Sequence, residues 1–263
     1  MSQGQGETHV CFPGEDFVSK AEFDRFMDAG QSRLDGRFAY EQTLVTAQAV
    51  LVRPGSCACC LRTASYTTRS GNLRDGQVCD CPRRLGQRAR AMLHFLEAEA
   101  GLDAWSRLLI LGPVSPLDAV LAAGRATPLH VPRLFSAGES PAGYRLDAAD
   151  ASCTLALSWD YLPRIPPLDA ALAEVRRVLA GGGRFVFTLP FHWRAPHGVS
   201  RLTHIPRRGG RLPAEFAGEI HEIGWDILDR LRAAGFADAR AHHYWSDELG
   251  YLGAANFLFA ASA

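Results

Sequence analysis

RLLILGPVSPLDAVLAAG, the stretch from Arg107 to Gly124, decides the fold. Leu108, Leu109, Ile110 and Leu111 form a short continuous apolar run, as expected of a strand buried on both faces of a parallel sheet. Gly112 and Pro113 turn the chain. Pro116 then suits the first position of a helix that carries Leu117, Val120 and Leu121. Strand, tight turn and helix follow one another as in a β–α unit. The turn itself is poor in glycine. A loop that wraps a nucleotide needs several glycines so that the backbone can come close, and Val114, Ser115 and Pro116 stand in their places.

The alternation continues outward from this unit. RARAMLHFLEAEAG reads as an amphipathic helix with Gly101 placed to end it. TPLHV, CTLALSW, RFVFTLP, ADARAHHYW and AANFLFAA supply further strand-like runs separated by helical segments. LDAALAEVRRVLA follows Pro166-Pro167 and stops at Gly181–Gly183, with Leu168, Leu172, Val175 and Leu179 on one face. GWDILDRLRAAGF is another helix, ended by Gly235. Residues 87–263 are therefore expected to form an α/β domain with a doubly wound, largely parallel, Rossmann-like sheet. Residues 1–51 read as an N-terminal helical segment with spaced apolar residues such as Phe17, Phe23, Phe26 and Phe38. Residues 52–86 are short, cysteine-bearing and lack an apolar core. There is no internal repeat and no low-complexity segment.

The 263 residues are 47% hydrophobic and 21% charged, with zero formal net charge. That balance argues against nucleic acid or a membrane surface as the main partner. No window approaches the ~18 apolar residues of a membrane helix, and residues 1–14 lack an export signal, so a cytoplasmic location is expected. Lys20 is the only lysine among 28 basic residues, the rest being arginine. Such a bias is what a GC-rich bacterial source predicts. It also excludes a Schiff-base lysine, because Lys20 lies outside the α/β region.

Cys57-Ala58-Cys59-Cys60 is followed, eighteen residues later, by Cys79-Asp80-Cys81. Two close cysteine pairs on turns can close a tetrahedron around a structural zinc ion. Five cysteines compete for four places: Cys57, Cys60, Cys79 and Cys81 are expected to bind, with Cys59 as the substitute. A segment this poor in core would take most of its order from the metal. Disulfides are the alternative, disfavoured in a cytoplasmic chain. Cys11 and Cys153 stand apart, and Cys153 begins an apolar strand as plain core.

LDAALAEVRRVLAGGGRFVFTLPF resembles the helix, glycine turn and fifth strand of class I S-adenosylmethionine-dependent methyltransferases of the type 11 kind. IGWDILDRLRAAGFADARAHHYWSDELGYLG resembles the C-terminal part of a bacterial subgroup that also carries an N-terminal cysteine ribbon. The resemblance runs roughly from Ser56 to Ala261. It implies a cofactor held by three elements, and each departs here. In the glycine-rich turn after the first strand only Gly112 remains, as a vestige, with Ile110 in place of the family's acid. At the end of the second strand the family places a carboxylate for the ribose, where this chain offers Arg133, which accepts no hydrogen bond. Before the fourth strand, where the family uses an aspartate for the adenine amine, only Asp147 is present. S-adenosylmethionine is therefore expected to bind weakly or not at all.

Ligands of open α/β sheets collect at the carboxyl ends of the strands. The polar residues there include Ser115, Asp160, Tyr244 and Asp247. Asp160 and His192, after the fourth and fifth strands, are the candidate catalytic acid–base groups. Arg133, Tyr161, Trp193 and Arg194 are the candidate substrate contacts, the two arginines suiting a carboxylate, sulfate or phosphate. The bland reading makes His192 a solvated loop residue and Trp193 a cover for the core edge. His197, His204 and His221 match no metal motif, and His242 and His243 point to opposite faces of a strand. The resemblance leaves three functions open. One is a repurposed tailoring component of natural-product biosynthesis that performs an elimination or a ring closure, such as aziridine formation, on a small molecule. Another is a non-catalytic subunit in a heteromer with a second methyltransferase-like chain. The third is ordinary methyl transfer to a small molecule.

Overall fold

The structure, a computed structural model, describes residues 11–47, 50–60, 62–69, 73–81, 84–103, 106–112, 117, 120–121, 129–131, 145–165, 168–195, 201–205, 218–253 and 255–263. A short strand β1 (Glu15–Phe17) leads into α1 (Lys20–Ala29) and α2 (Gln31–Ala47). Ser19 caps α1 by accepting from the Glu22 amide at 3.3 Å. Three strands follow, β2 (Val50–Cys57), β3 (Arg62–Arg69) and β4 (Gln77–Cys79), with the single turn α3 (Leu73–Gly76) before the last. They form a separate antiparallel sheet in the order β2-β3-β4. This is the cysteine segment.

The α/β part opens with α4 (Gln87–Ala98), which ends as expected before Gly101, a glycine at φ +69°. It continues through β5 (Leu108–Leu111), β6 (Leu129–Val131), β7 (Cys153–Trp159), α5 (Leu168–Val178) and β8 (Leu179–Thr188). A hairpin of β9 (Arg201–Ile205) and β10 (Gly218–Glu222) comes next, then α6 (Ile227–Ala233), β11 (Asp238–His243) and β12 (Phe257–Ser262). The main sheet has seven strands in the order β1-β11-β12-β8-β7-β5-β6. From β6 to β8 all neighbours are parallel. β12 then inserts antiparallel between β8 and β11, so that β11 runs the same way as β8. Among the described residues no helix is long and apolar enough to cross a membrane.

Period-two alternation divides the core into two faces. Leu109 and Leu111 of β5 face one cluster with α5, α6 and Phe23 of α1, while Leu108 and Ile110 face the other with Met92, Leu93 and Leu96 of α4. At about 1.5–3 kcal/mol for each fully buried aliphatic side chain, these two layers are what the sheet is built on. Cys153 is buried in the first cluster. Cys57, Cys79 and Cys81 belong to the second, so the cysteine segment shares the core of the α/β part.

Two details depart from the pattern read in the sequence. The glycine triplet does not separate helix from strand: β8 already begins at Leu179 and passes through Gly181–Gly183. Gly182 takes φ +74°, and the register between β7 and β8 shifts between Cys153 and Leu155, so the triplet works as an irregularity inside the ladder. The helical reading of the N-terminal segment holds only from Lys20. Glu15–Phe17 is instead an edge strand paired antiparallel to β11.

Side chains fasten that edge strand. Asp16 Oδ1 lies 2.6 Å from His242 Nδ1, and Asp16 Oδ2 accepts from Arg240 Nη1 at 3.1 Å. The hydrogen bond from His242 holds the Asp16 carboxyl below its ordinary range against the opposing effect of burial. A carboxylate depressed in the folded state contributes stability above its unfolded pKa and loses it as pH falls through the folded value. Wild-type protein should therefore lose part of its stability below about pH 4, and Asp16→Asn should show a flatter acid limb. Urea midpoints from pH 6 to pH 3 give the comparison; parallel curves would remove Asp16 from the account.

Candidate functional site

At the carboxyl end of β5, Gly112 adopts φ +106°, and a Cβ built on it would stand 2.7 Å from Cγ of Tyr161. The residue is glycine because an aromatic ring from the end of β7 lies directly against its backbone. Tyr161 is 4% exposed. The close approach that a glycine permits is thus spent on an internal side chain.

Asp160, one residue earlier, takes the left-handed φ of 50°, which aspartate tolerates better than most residues. Its amide donates to the Thr188 carbonyl at 3.1 Å, joining the ends of β7 and β8. Its Oδ1 accepts from Arg88 Nη2 at 2.6 Å, and the Arg88 guanidinium lies 5.0 Å from the Trp159 ring centroid. Arg88 comes from the first turn of α4. Sequence reasoning missed it, since nothing local marks a partner 72 positions away.

A second group forms where the N-terminal helices cross the ends of β8 and β11. A cavity of about 260 Å³ is roofed by α2 and walled by Trp193, Arg194, His243 and Trp245. Glu41 of α2 is buried, and its Oε1 accepts from Trp245 Nε1 and from the Gly253 amide, both at 2.7 Å. Tyr40 donates to Asp247 Oδ1 at 2.7 Å. These bonds fix α2 over the loop that follows β11. Below them, Phe23 of α1 packs edge-on against Trp193 at 5.7 Å. Two guanidinium groups lie over the cavity's indoles: Arg37 stands 4.6 Å from the Trp245 ring and Arg194 4.4 Å from the Trp193 ring. Burial, and then the charge of Arg33, pushes the Arg37 guanidinium below its ordinary value.

The structure thus brings Trp193 and Arg194 together in one cavity, sets Tyr161 against Gly112 and pairs Asp160 with Arg88. His192 is exposed, with its amide donating to the Ile223 carbonyl at 3.0 Å. Arg133 and Ser115 lie outside the described residues, as does His197. Asp147 is exposed, and its neighbours Leu146 and Ala148 offer their carbonyls to Arg177 near the end of α5. That is the amino-terminal edge of β7 and β8, opposite Gly112, so Asp147 is not placed to read an adenine there. Tyr244 is buried in aromatic packing with Phe12 and Tyr251. His242 and His243 do face opposite sides, the first toward Asp16 and the second toward Phe23.

The four sulfurs of Cys57, Cys60, Cys79 and Cys81 all lie within 4.8 Å of one another. Metal–sulfur bonds of 2.3 Å in a tetrahedron put sulfurs about 3.8 Å apart, so this group fits a metal ion with little contraction. The turn after β2 is closed by the Cys60 amide on the Cys57 carbonyl at 3.3 Å. The Cys81 amide points at Cys79 Sγ at 3.4 Å, as amides do toward thiolate ligands. Hydrogen bonds from Cys59, and further ones from Cys60 and Cys79, draw the Cys57 thiol down to about 4 against burial. Cys59 stands outside the group and also donates to the Arg90 carbonyl at 3.3 Å.

Four parallel strands, β6, β5, β7 and β8, with one antiparallel strand inserted beside the last of them and helices on both faces, make a Rossmann-like α/β fold similar to that of class I S-adenosylmethionine-dependent methyltransferases, with a four-cysteine group that can hold a metal ion. Solved structures of similar fold include an S-adenosylmethionine-dependent methyltransferase from Mesorhizobium loti, 19% identical over 62% of this chain and 94% of that one, at a TM-score of 0.40. The [4+2]-cyclase SpnF is 17% identical over 66% of this chain and 78% of its own, at 0.38. The 1,6-didemethyltoxoflavin-N1-methyltransferase of Burkholderia thailandensis, solved with bound 1,6-didemethyltoxoflavin and S-adenosylhomocysteine, is 18% identical over 66% of this chain and 77% of its own, at 0.39. A likeness at this level adds nothing to the topology. No family model matches the chain, and no curated protein does.

Proposed function

We propose that this chain binds a small molecule at the carboxyl edge of its sheet and transforms it without methyl transfer, by an elimination or ring closure in bacterial natural-product biosynthesis. The observation that carries the reading is the Tyr161 ring seated on Gly112. The residues present do not fit S-adenosylmethionine: the one glycine of the turn is covered from within, and Asp147 sits at the wrong edge. The substrate enters the cavity beneath α2 instead. An internal displacement needs the reacting atoms held in line, a base for the proton and a cation for the departing anion. Arg37 and Arg194 offer guanidinium edges to a carboxylate, sulfate or phosphate. Asp160, held by Arg88, and His192 lie at the same carboxyl edge but do not line that cavity, and they are the proton acceptors of this proposal only for a substrate that extends beyond it. The four cysteines hold zinc in a structural role, since four thiolates leave no open position for chemistry.

Calorimetry with S-adenosylmethionine and S-adenosylhomocysteine tests the reading. Losing the ribose carboxylate, the adenine aspartate and the close glycine approach removes on the order of 3–5 kcal/mol, taking about 0.5–1.5 for each neutral hydrogen bond and more for an unpaired buried group. At 1.4 kcal/mol per tenfold, a micromolar site becomes roughly millimolar. The expected titration is flat at micromolar ligand. A low-micromolar dissociation constant would overturn the proposal and restore methyl transfer.

A further inference from the structure

Arg90, on the inner face of α4, is 1% exposed. Its Nη2 donates to the Gly250 carbonyl at 2.9 Å, while Nε and Nη1 have no hydrogen-bond partner. The guanidinium stands 4.1 Å from the Tyr66 ring centroid and 5.8 Å from that of Tyr251. Among the described residues no carboxylate pairs with it. A guanidinium removed from water is costly unless another charge opposes it, and two aromatic faces answer only part of that cost.

The surroundings supply the missing charge. Tyr66, whose ring lies 4.1 Å from the Arg90 guanidinium, is the ladder partner of Cys79, and Cys59 donates to the Arg90 carbonyl at 3.3 Å, so the arginine and the cysteines share one buried region. A divalent ion in four thiolates carries a net charge of two minus. Without the metal no tetrathiolate stands against Arg90, and among the described residues no carboxylate pairs with it.

We infer that Arg90 is the internal counter-charge of the four-cysteine metal centre, a positioning residue that lets Cys57, Cys60, Cys79 and Cys81 hold a divalent ion as a buried dianionic tetrathiolate against α4. The inference rests on reading these cysteines as a metal site. It also explains an arginine in an otherwise apolar stripe with Leu93 and Met92: charge balance, rather than a surface, decides its identity.

The test compares wild type, Arg90→Lys, Arg90→Met and Arg90→Gln, the last keeping a donor for the Gly250 carbonyl. Zinc affinity is measured by competition with a chromophoric chelator, cobalt substitution reports the ligand set, and urea midpoints are taken with and without metal. Loss of the charge should weaken zinc binding about 10–100-fold, the usual effect of removing an outer-shell partner. Arg90→Lys should stay near wild type. All variants should keep the cobalt–tetrathiolate spectrum at saturating cobalt. The metal-free neutral variants should be as stable as metal-free wild type, or more so, because they no longer bury an unopposed cation. Unchanged zinc affinity in Arg90→Met or Arg90→Gln overturns the inference, and so does an equal loss of stability with and without metal, which marks plain packing. If only one neutral variant folds, it decides alone. Wild type that takes up neither zinc nor cobalt overturns the metal reading itself, a separate outcome.

Discussion

Protein stripped of metal, or carrying Cys57→Ser, should melt at least about 10 °C below the zinc-bound wild type, at the 2–4 °C per kcal/mol expected for a chain of this size. Structural zinc contributes about 10–16 kcal/mol in small finger peptides, comparable with the whole net stability of a folded domain. Here the consequence spreads beyond the segment that binds. Cys57, Cys79 and Cys81 share one buried cluster with Tyr66, Met92 and Leu96, and that cluster reaches Leu108 and Val186 of the main sheet. Opening the centre therefore exposes one side of the α/β core. Elemental analysis should give close to one zinc per chain in protein purified without chelator, and thermal melts followed by circular dichroism give the shift. A metal-free sample with an unchanged midpoint would show that the cysteines only happen to lie together.

Gly112→Ala should be strongly destabilising. The φ of +106° is costly for any residue with a side chain, about 1–3 kcal/mol for such backbone strain. The new Cβ would also meet Tyr161 Cγ at 2.7 Å and Cβ at 2.8 Å, and overpacking of this kind costs about 1–3 kcal/mol more. Together these amount to roughly 2–6 kcal/mol. A double-mutant cycle separates the two parts. Tyr161→Ala costs stability on its own through the cavity it leaves, about 3–5 kcal/mol for a large aromatic ring. Combined with Gly112→Ala it should be milder than the sum, by the share due to the clash. Simple additivity of the two changes would mean that the ring does not press on the turn, and the main support for the non-methylating reading would go with it.

The elements that could be read from the sequence are those with a strong period or a strong punctuation mark. Leu108–Leu111 read as a strand because four apolar residues in a row between polar flanks suit burial on both faces, and the helix at Gln87–Ala98 read as one because Gly101 ends it. The cysteine set was legible from spacing alone, since turns bring residues two or three apart to one point. Partnerships across the fold were not. Asp160 announces itself as a polar residue at a strand end, but nothing near it names Arg88. Trp245, Arg37 and Glu41 met in a cavity only because α2 lies across the carboxyl edge, and helix placement is decided by tertiary packing. Glu15–Phe17 was too short to show alternation, and its strand character comes from the partner it finds in β11. Arg90 offered a faint signal, a charge among apolar neighbours at helical spacing, whose meaning depends on thiolates brought in from another segment.

The pairing of Asp16 with His242 joins residues 226 positions apart. Loop entropy grows only with the logarithm of length, so so wide a closure adds little to the equilibrium cost. Its effect is on timing. Contacts of such high order form late, after local helices and hairpins are in place. The roof of the cavity depends on the same late event, because α2 is held by Trp245, Asp247 and Gly253, beyond β11. A small molecule that occupies the cavity would therefore act as a clasp between the N-terminal helices and the loop after β11.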